Sequence, residues 1–412
     1  MIKTIKKSAV SGEISAPSSK SALQRLIAAA FLSGGKSKIG YKTLSNDAAA
    51  ALNLIKDLGA KVEQDNAIIR ITGGFNNPQN HLSIGESGLG LRMFTPILAL
   101  QNKEFTITGK GSLLERPVDF IVDTLSNFGI LISSNSGKLP LKIQGNYKNT
   151  KVDIDGIFSS QLLTGLLMAL PLHDKDSELH VKNLKSKPYI DLTISILNKF
   201  GILINHHNYE WFYIKGNQKY NPVDTQTEGD WSGAAFLVVA AAIAGKLKIN
   251  DIDIHSTQGD KAIIEVVKMA GAKIEFFENG IFVEKNQLNS FAYDATDTPD
   301  LFPPLVALAV YCSGKSTIYG VNRLKHKESN RALTLKTEFE KLGAKITIEE
   351  DKMIIEGGKI CGNKVSSHND HRIAMALAVT ALEAEGEIII ENSEAVAKSW
   401  PGFFEDLDKI CY

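Results

Sequence analysis

A chain of 412 residues is too long for one ordinary core, so two or three domains are expected. Its 43% hydrophobic and 22% charged residues fit a globular protein, and 46 basic residues balance 46 acidic ones. That balance excludes a global field for nucleic acid or anionic membrane and leaves any anion binding to local placement of charge. Cys312, Cys361 and Cys411 are odd in number and widely spaced, which excludes a disulfide framework and a thiolate metal pattern. Residues 1–7 carry no apolar run of signal-peptide length, and apolar stretches such as 234–244 are too short to span a bilayer. A cytoplasmic protein is expected.

In chain order, the first signal is Pro17-Ser-Ser-Lys-Ser-Ala-Leu-Gln-Arg25, which sets Ser18, Ser19, Lys20 and Ser21 ahead of the apolar run 23–32. Hydroxyls in that place predict a helix start, where they cap N–H groups lacking an intrahelical partner. The partial positive charge of a helix start, with Lys20 and Arg25 beside it, makes a seat for an anion. Taken alone, the stretch reads equally well as a capped surface helix. Its recurrence decides the matter.

Five dipeptides, Leu58-Gly59, Phe128-Gly129, Phe200-Gly201, Ala270-Gly271 and Leu342-Gly343, each close an amphipathic segment and lead into a β-like run. Their glycines recur at intervals of 70, 72, 70 and 72 residues (129 − 59, 201 − 129, 271 − 201, 343 − 271). A second strand follows each, at 67–72, 140–144, 211–215, 281–284 and 353–356. Then a polar motif opens an apolar helix: Gly85-Glu-Ser-Gly-Leu-Gly-Leu-Arg92, Phe158-Ser-Ser-Gln161, Glu228-Gly-Asp-Trp-Ser232, Asp297-Thr-Pro-Asp300 and Asn369-Asp-His-Arg372. The stretch 17–25 is the sixth. Gly34, Gly245, Gly314 and Gly386 follow such helices and predict left-handed caps. The grammar β-α-β-α-β-β, six times over, predicts an α/β protein with helices packed on sheets. Six units predict two domains of three, residues 20–228 and residues 1–19 with 229–412, the chain crossing near 17–20 and 228–229.

The motifs share one chemical character. Lys20, Arg25, Arg92, Arg116, Lys327, Arg331, Arg372 and Lys398 fall at helix starts or in loops, with Ser21, Ser159, Ser160 and Ser186 as hydroxyl donors. Guanidinium forks suit phosphate and carboxylate, so small polyanions are the expected ligands rather than a nucleic-acid track. Asp300 and Glu328 stand among these cations. A carboxylate so placed is more often a structural partner than a catalyst, but beside anionic substrates it would repel them, which makes both candidates for proton transfer. His371, between Asp370 and Arg372, is a further candidate. Gly34-Gly-Lys-Ser37 and Ser313-Gly-Lys-Ser316 resemble the end of a P-loop, but its first glycine would fall on Ala30 and Ala309 inside helices. His206-His207 lacks further ligands at zinc spacing and is expected in a solvated loop.

Taken in order, these segments resemble the enolpyruvyl transferases, and among them the EPSP synthase family. The resemblance is carried over essentially the whole chain by Ser18-Ser-Lys-Ser21 with Arg25, Gly88 to Arg92, Glu115-Arg-Pro117, Ser159-Ser-Gln161, Ser186-Lys-Pro-Tyr189, Glu228-Gly-Asp230, Pro299-Asp300, Lys327-Glu-Ser-Asn-Arg331, Asp370-His-Arg372, and Lys398 with Pro401. It implies two globular domains, each of three βαβαββ units in an inside-out α/β barrel. It also implies transfer of the enolpyruvyl group of phosphoenolpyruvate to the 5-hydroxyl of shikimate 3-phosphate, with release of phosphate. Lys20, Gly88, Arg116, Gln161, Arg331, Arg372 and Lys398 would then surround phosphoenolpyruvate. Lys20, Ser21, Arg25, Ser159, Ser160, Gln161, Ser186, Asp300 and Lys327 would hold shikimate 3-phosphate. Asp300, with Lys20, would take the hydroxyl proton, Glu328 would protonate the methylene carbon, and His371 would assist. No metal or organic cofactor is called for, and a monomer with no nucleic-acid or membrane partner is expected.

The chain departs from the family pattern where Asn-Ala-Gly-Thr becomes Glu86-Ser-Gly-Leu89, and at Gln24, Arg323 and Asn330; these changes bear on glyphosate sensitivity and substrate affinity. Two rival readings are a UDP-N-acetylglucosamine enolpyruvyl transferase and a catalytically silent anion binder on the same scaffold. The first normally carries a reactive cysteine or aspartate near 113–116, where this chain has no cysteine. The second needs the cations but neither Asp300 nor Glu328.

Overall fold

The computed structural model describes all 412 residues and divides them into two compact units, residues 20–227 and residues 1–19 with 228–412. Glu228 therefore falls with the C-terminal residues, one position from the expected cut. Twelve α-helices are present: α1 (Lys20–Leu32), α2 (Asn46–Asp57), α3 (Gly88–Leu98), α4 (Asp119–Asn127), α5 (Ser160–Ala169), α6 (Pro188–Lys199), α7 (Trp231–Ala244), α8 (Ile263–Ala270), α9 (Phe302–Ala309), α10 (Arg331–Lys341), α11 (His371–Ala381) and α12 (Phe403–Ile410). None is long and apolar enough to cross a membrane.

One sheet shows the rule. His81–Ser83 runs parallel to Glu104–Thr108, which pairs antiparallel with Lys138–Gln144, itself antiparallel to Leu131–Asn135. Four more sheets repeat this order. In two of them the outer parallel strand comes from the segment just ahead of a chain crossing. Asp224–Gln226 pairs with Lys36–Gly40, and Glu13–Ser15 with Lys246–Asn250. The sixth sheet departs from the β-α-β-α-β-β grammar. No hairpin follows Ile388–Glu391, and Ile2–Ile5 occupies the antiparallel position beside it.

Alternate helices play different parts. The first helix of each repeat (α1, α3, α5 in one unit; α7, α9, α11 in the other) is apolar on nearly every side. All fourteen residues of α7 and all eleven of α11 are buried. In its unit α7 touches α9 and α11, which touch each other. Full burial of each Leu, Val, Ile or Phe contributes about 1.5–3 kcal/mol relative to exposure, so these helices form the two cores. The second helices, such as α2 and α8, show one polar and one apolar face, as a helix lying on a sheet requires.

The five glycines that set the repeat all lie in the left-handed region, with φ from 77° at Gly129 to 107° at Gly271. A Cβ costs energy there, which explains why glycine recurs while its neighbours vary. Gly34, Gly314 and Gly386 also have positive φ, as expected of left-handed caps. Gly245 does not. It has an extended backbone with φ of 162°, and bridges to Val10 so closely that a Cβ would strike the Val10 carbonyl oxygen. One further expectation changes. His206 and His207 lie exposed on the strand Ile204–His207 rather than in a loop, because Phe212 and Trp211 opposite them complete a hairpin. Ser19, just ahead of α1, donates its hydroxyl to Gln258 Oε1 at 3.0 Å, which leaves the oxygen able to accept as well.

Because Gly245 is held by close approach and not by dihedral need, Gly245→Ala is expected to destabilise its unit by about 2 kcal/mol or more. A lower urea midpoint for the variant checks this; an unchanged one would show that the contact relaxes freely.

Candidate functional site

In the unit of residues 1–19 and 228–412, the candidate residues gather around one guanidinium. Arg331 opens α10 with its side chain fully buried. Its Nη1 donates to Asp300 Oδ1 at 2.9 Å and its Nη2 to Glu328 Oε2 at 2.6 Å. Its Nε and Nη2 donate to Asp370 at 2.9 and 3.2 Å. Asp300 lies in the 3₁₀ turn Pro299–Leu301 ahead of α9, and Asp370 caps α11 through the Arg372 N–H at 3.0 Å. The starts of α9, α10 and α11 therefore meet. Arg372 Nη2 lies 3.1 Å from Asp300 Oδ2 and Lys327 Nζ 3.4 Å from Asp300 Oδ1. Lys398 is buried in the 3₁₀ segment Ser393–Lys398, which packs on α11.

The electrostatics follow from the pairing. Burial alone would raise the Asp300 pKa, but Arg372, Lys327 and Arg331 outweigh it and hold the carboxyl well below its usual range. Burial pushes the Lys327 ammonium down to about 8, against the opposing pull of Asp300. Burial also works against the Arg331 charge, but Asp370, Glu328 and Asp300 more than offset it, so that guanidinium stays charged. His371 is fully buried, and its Nε2 lies 2.8 Å from Arg372 Nη1. A ring nitrogen facing a guanidinium must accept, which leaves the ring proton on Nδ1, 3.7 Å from Asp370 Oδ1. Glu328, Asp370 and His371 bring three ligand-type atoms within 4.8 Å of one another. Arg331 already stands between the two carboxylates, so its charge opposes a metal ion there.

In the unit of residues 20–227, hydrogen bonds draw three core helix starts together. Ser87 caps α3 by accepting the Gly90 N–H at 3.0 Å and donates its hydroxyl to Gln24 Oε1 of α1 at 2.7 Å. Arg92 of α3 donates to Gln161 Oε1 of α5 at 2.8 Å, and Ser159 caps α5 through the Gln161 N–H at 3.1 Å. Ser160 is buried beside it. Gly88 is the tightest point, since a Cβ there would lie 2.7 Å from Arg116 Nη1 and 3.0 Å from Arg92 Nη1. Guanidiniums and a helix start are both chemically suited to anions. Lys20 opens α1 and lies 3.2 Å from buried Asp47 Oδ2. Arg25 is enclosed and donates to Thr193 Oγ1 at 2.9 Å and Ser21 O at 2.9 Å, joining α1 to α6. Ser186 is buried in a left-handed turn ahead of α6.

Sequence reasoning passed over three of these groups. Asp370 stood inside a recognised motif only as the neighbour of His371; nothing in its position announced that it caps α11 and grips Arg331. Asp47 is 27 positions from Lys20 with no periodicity to connect them. The Gln24–Ser87 bond joins two separate departures from the family pattern, and only the fold shows that they touch.

The EPSP synthase (3-phosphoshikimate 1-carboxyvinyltransferase) family model matches residues 5–407. The chain is 38% identical to a 3-phosphoshikimate 1-carboxyvinyltransferase of Clostridium novyi, covering 98% of this chain and 96% of that protein. With the enzyme of the same name from Clostridium kluyveri it shares 39% identity over 96% of this chain and 94% of that one. The structure superposes on EPSP synthase from Acinetobacter baumannii with a TM-score of 0.83 at 26% identity, covering 100% of this chain and 98% of that one. The enolpyruvyl transferase NikO from Streptomyces tendae, at 17% identity and a TM-score of 0.80, covering 100% of this chain and 97% of that one, shares the fold. On the family match and these near-full-length relatives, the chain belongs to the EPSP synthase family of transferases.

Proposed function

We propose that the chain transfers the enolpyruvyl group of phosphoenolpyruvate to the 5-hydroxyl of shikimate 3-phosphate, forming 5-enolpyruvylshikimate 3-phosphate and inorganic phosphate. It acts in the cytoplasm as a monomer, on the path to aromatic amino acids, without a metal or organic cofactor. The observation that carries this reading beyond the family name is the pairing of Asp300 and Glu328 on one buried guanidinium, with Lys327 and Arg372 at hand. An anion-binding protein needs the cations alone. Two carboxylates kept among them suit a reaction that moves two protons.

In this reading Lys20, Gly88, Arg116, Gln161, Arg331, Arg372 and Lys398 hold phosphoenolpyruvate. Shikimate 3-phosphate is held by Lys20, Ser21, Arg25, Ser159, Ser160, Gln161 and Ser186, with Asp300 and Lys327. Asp300 takes the proton of the 5-hydroxyl as its oxygen bonds to C2 of phosphoenolpyruvate, and Glu328 delivers a proton to the C3 methylene. The product of that addition is a tetrahedral ketal phosphate. Loss of a C3 proton and of phosphate then restores the double bond. A carboxylate held as low as Asp300 is a weak base in the free protein. Anionic substrates satisfy Arg372, Lys327 and Arg331 and so return basicity to Asp300 when it is needed. His371 acts in this scheme by orienting Arg372, since its Nε2 accepts from that guanidinium.

Phosphate release from phosphoenolpyruvate tests the reaction. Release is expected with shikimate 3-phosphate and not with UDP-N-acetylglucosamine, and the opposite pattern would assign the rival activity. Glu328→Gln is expected to bind both substrates nearly as the parent does while turnover falls about a hundredfold or more, the loss typical of a missing general acid–base. Near-normal turnover would remove Glu328 from the mechanism. The ammonium of Lys327 is charged below about pH 8 and neutral above, so kcat/KM for shikimate 3-phosphate is expected to fall as pH rises through that value. Lys327→Arg keeps its charge and should abolish that alkaline limb; an identical limb in the variant would assign it to another group.

A further inference from the structure

Glu338 lies seven residues after Arg331 on α10, two helical turns along the same face. Its carboxylate is buried, with 1% of the side chain exposed. Oε2 accepts the Ser366 N–H at 2.8 Å, Oε1 lies 2.8 Å from His368 Nε2, and Lys341 Nζ donates to both oxygens at 2.8 Å. The segment 366–370 thus runs along α10, pinned at Ser366 by Glu338 and at Asp370 by Arg331. Between the two pins, His368 and Asn369 both have left-handed backbones, with φ of 51° and 57°. Neither is glycine, and such a turn holds only where its surroundings over-determine it. Ser366 Oγ accepts the His368 N–H at 3.1 Å, Ser367 Oγ the Asn369 N–H at 3.2 Å, and Ser367 O the Asp370 N–H at 2.9 Å.

We propose that Glu338 is a positioning residue: by gripping Ser366 and His368 it fixes the strained turn that delivers Asp370 to Arg331 and sets Arg372 beside Asp300. The inference rests on the reading above, in which Arg331 and Arg372 hold phosphoenolpyruvate. A buried carboxylate with cationic partners is a poor way merely to staple a loop, because its desolvation consumes much of what the contacts supply. Its use is geometric. It sets the spacing of two guanidiniums on separate helices, and an error of an ångström there weakens the grip on a small dianion.

Steady-state kinetics on the full chain test this. Glu338→Ala is expected to raise KM for phosphoenolpyruvate about tenfold while KM for shikimate 3-phosphate stays within about twofold. Glu338→Gln, whose amide oxygen still accepts the Ser366 N–H, should remain within about threefold of the parent. A role confined to stability would lower the yield of active protein and leave both KM values alone. That result, or a Gln variant as impaired as the Ala variant, overturns the proposal. Should Glu338→Ala fail to fold, His368→Ala carries the test, with about a threefold rise in KM for phosphoenolpyruvate expected and an unchanged value overturning it. If the parent chain does not turn over these substrates, the functional reading fails separately. The clamp is then read by amide hydrogen exchange, which Glu338→Gln should leave slow and whichever alanine variant folds should accelerate across 366–372; equal rates in both would sink it.

Discussion

The candidate chemistry hangs on the buried guanidinium of Arg331 and the three carboxylates it gathers. Asp300, Glu328 and Asp370 come from different segments and would repel one another without it. At an effective dielectric constant of 20, two unit charges 4 Å apart interact by about 4 kcal/mol, so three carboxylates at such range cannot share a site unaided. Arg331 is equally dependent on them. It opens a helix, where the dipole disfavours a cation, and its side chain is cut off from solvent. Neither party is stable without the other, which makes the assembly rigid.

That mutual dependence also defines what the cluster can do in the proposed reaction. In the free protein the cations are satisfied by carboxylates, so the site is neutralised from within. An arriving dianion offers the same cations a second set of oxygens. Each cation that turns toward the ligand leaves a carboxylate less stabilised as an anion and therefore more basic. Substrate binding and activation of the base are thus one event, and Lys327, already pushed down by burial, is the cation whose charge is most readily lost. In the unit of residues 20–227, Arg92 and Arg116 crowd over Gly88 at the start of α3, and Arg92 donates to Gln161.

Legibility from the sequence follows the range of the interaction. The repeat was readable because its marks are local: a left-handed glycine after each second helix, an alternating strand after that, a polar motif before each core helix. Five glycines at 70- and 72-residue spacing needed no tertiary contact to be seen. Gly245 was misread because its reason is not local. It is glycine for the sake of Val10, 235 residues away in sequence, and its dihedral is one any residue adopts. The same holds for the polar groups. Arg331, Asp300 and Glu328 were visible as charges in motifs, but Asp370 as a partner, Asp47 beside Lys20 and Ser87 against Gln24 depend on which helix starts meet, and spacing does not encode that. The hairpin after Gly201 was legible, but the reach of its first strand over His206 and His207 was not, since two histidines look solvated on an exposed strand as much as in a loop.

The location of the site follows from the helices themselves. A helix surrounded by other helices and sheets is apolar along its length, and α7 and α11 are buried from end to end. A charge placed midway along such a helix would be desolvated with no partner, which is why polar side chains collect in first turns and in the segments just before them. The first turn is also where backbone N–H groups lack partners and the dipole is positive. In each unit the fold brings several of these ends together: α1, α3 and α5 through Gln24, Ser87, Arg92 and Gln161; α9, α10 and α11 through Asp300, Arg331 and Asp370. The constraint that expels charge from the core therefore concentrates it at points already suited to anions. The same placement recurs through the repeats, and in this chain the paired acids Asp300 and Glu328 belong to the copy that also carries Arg331.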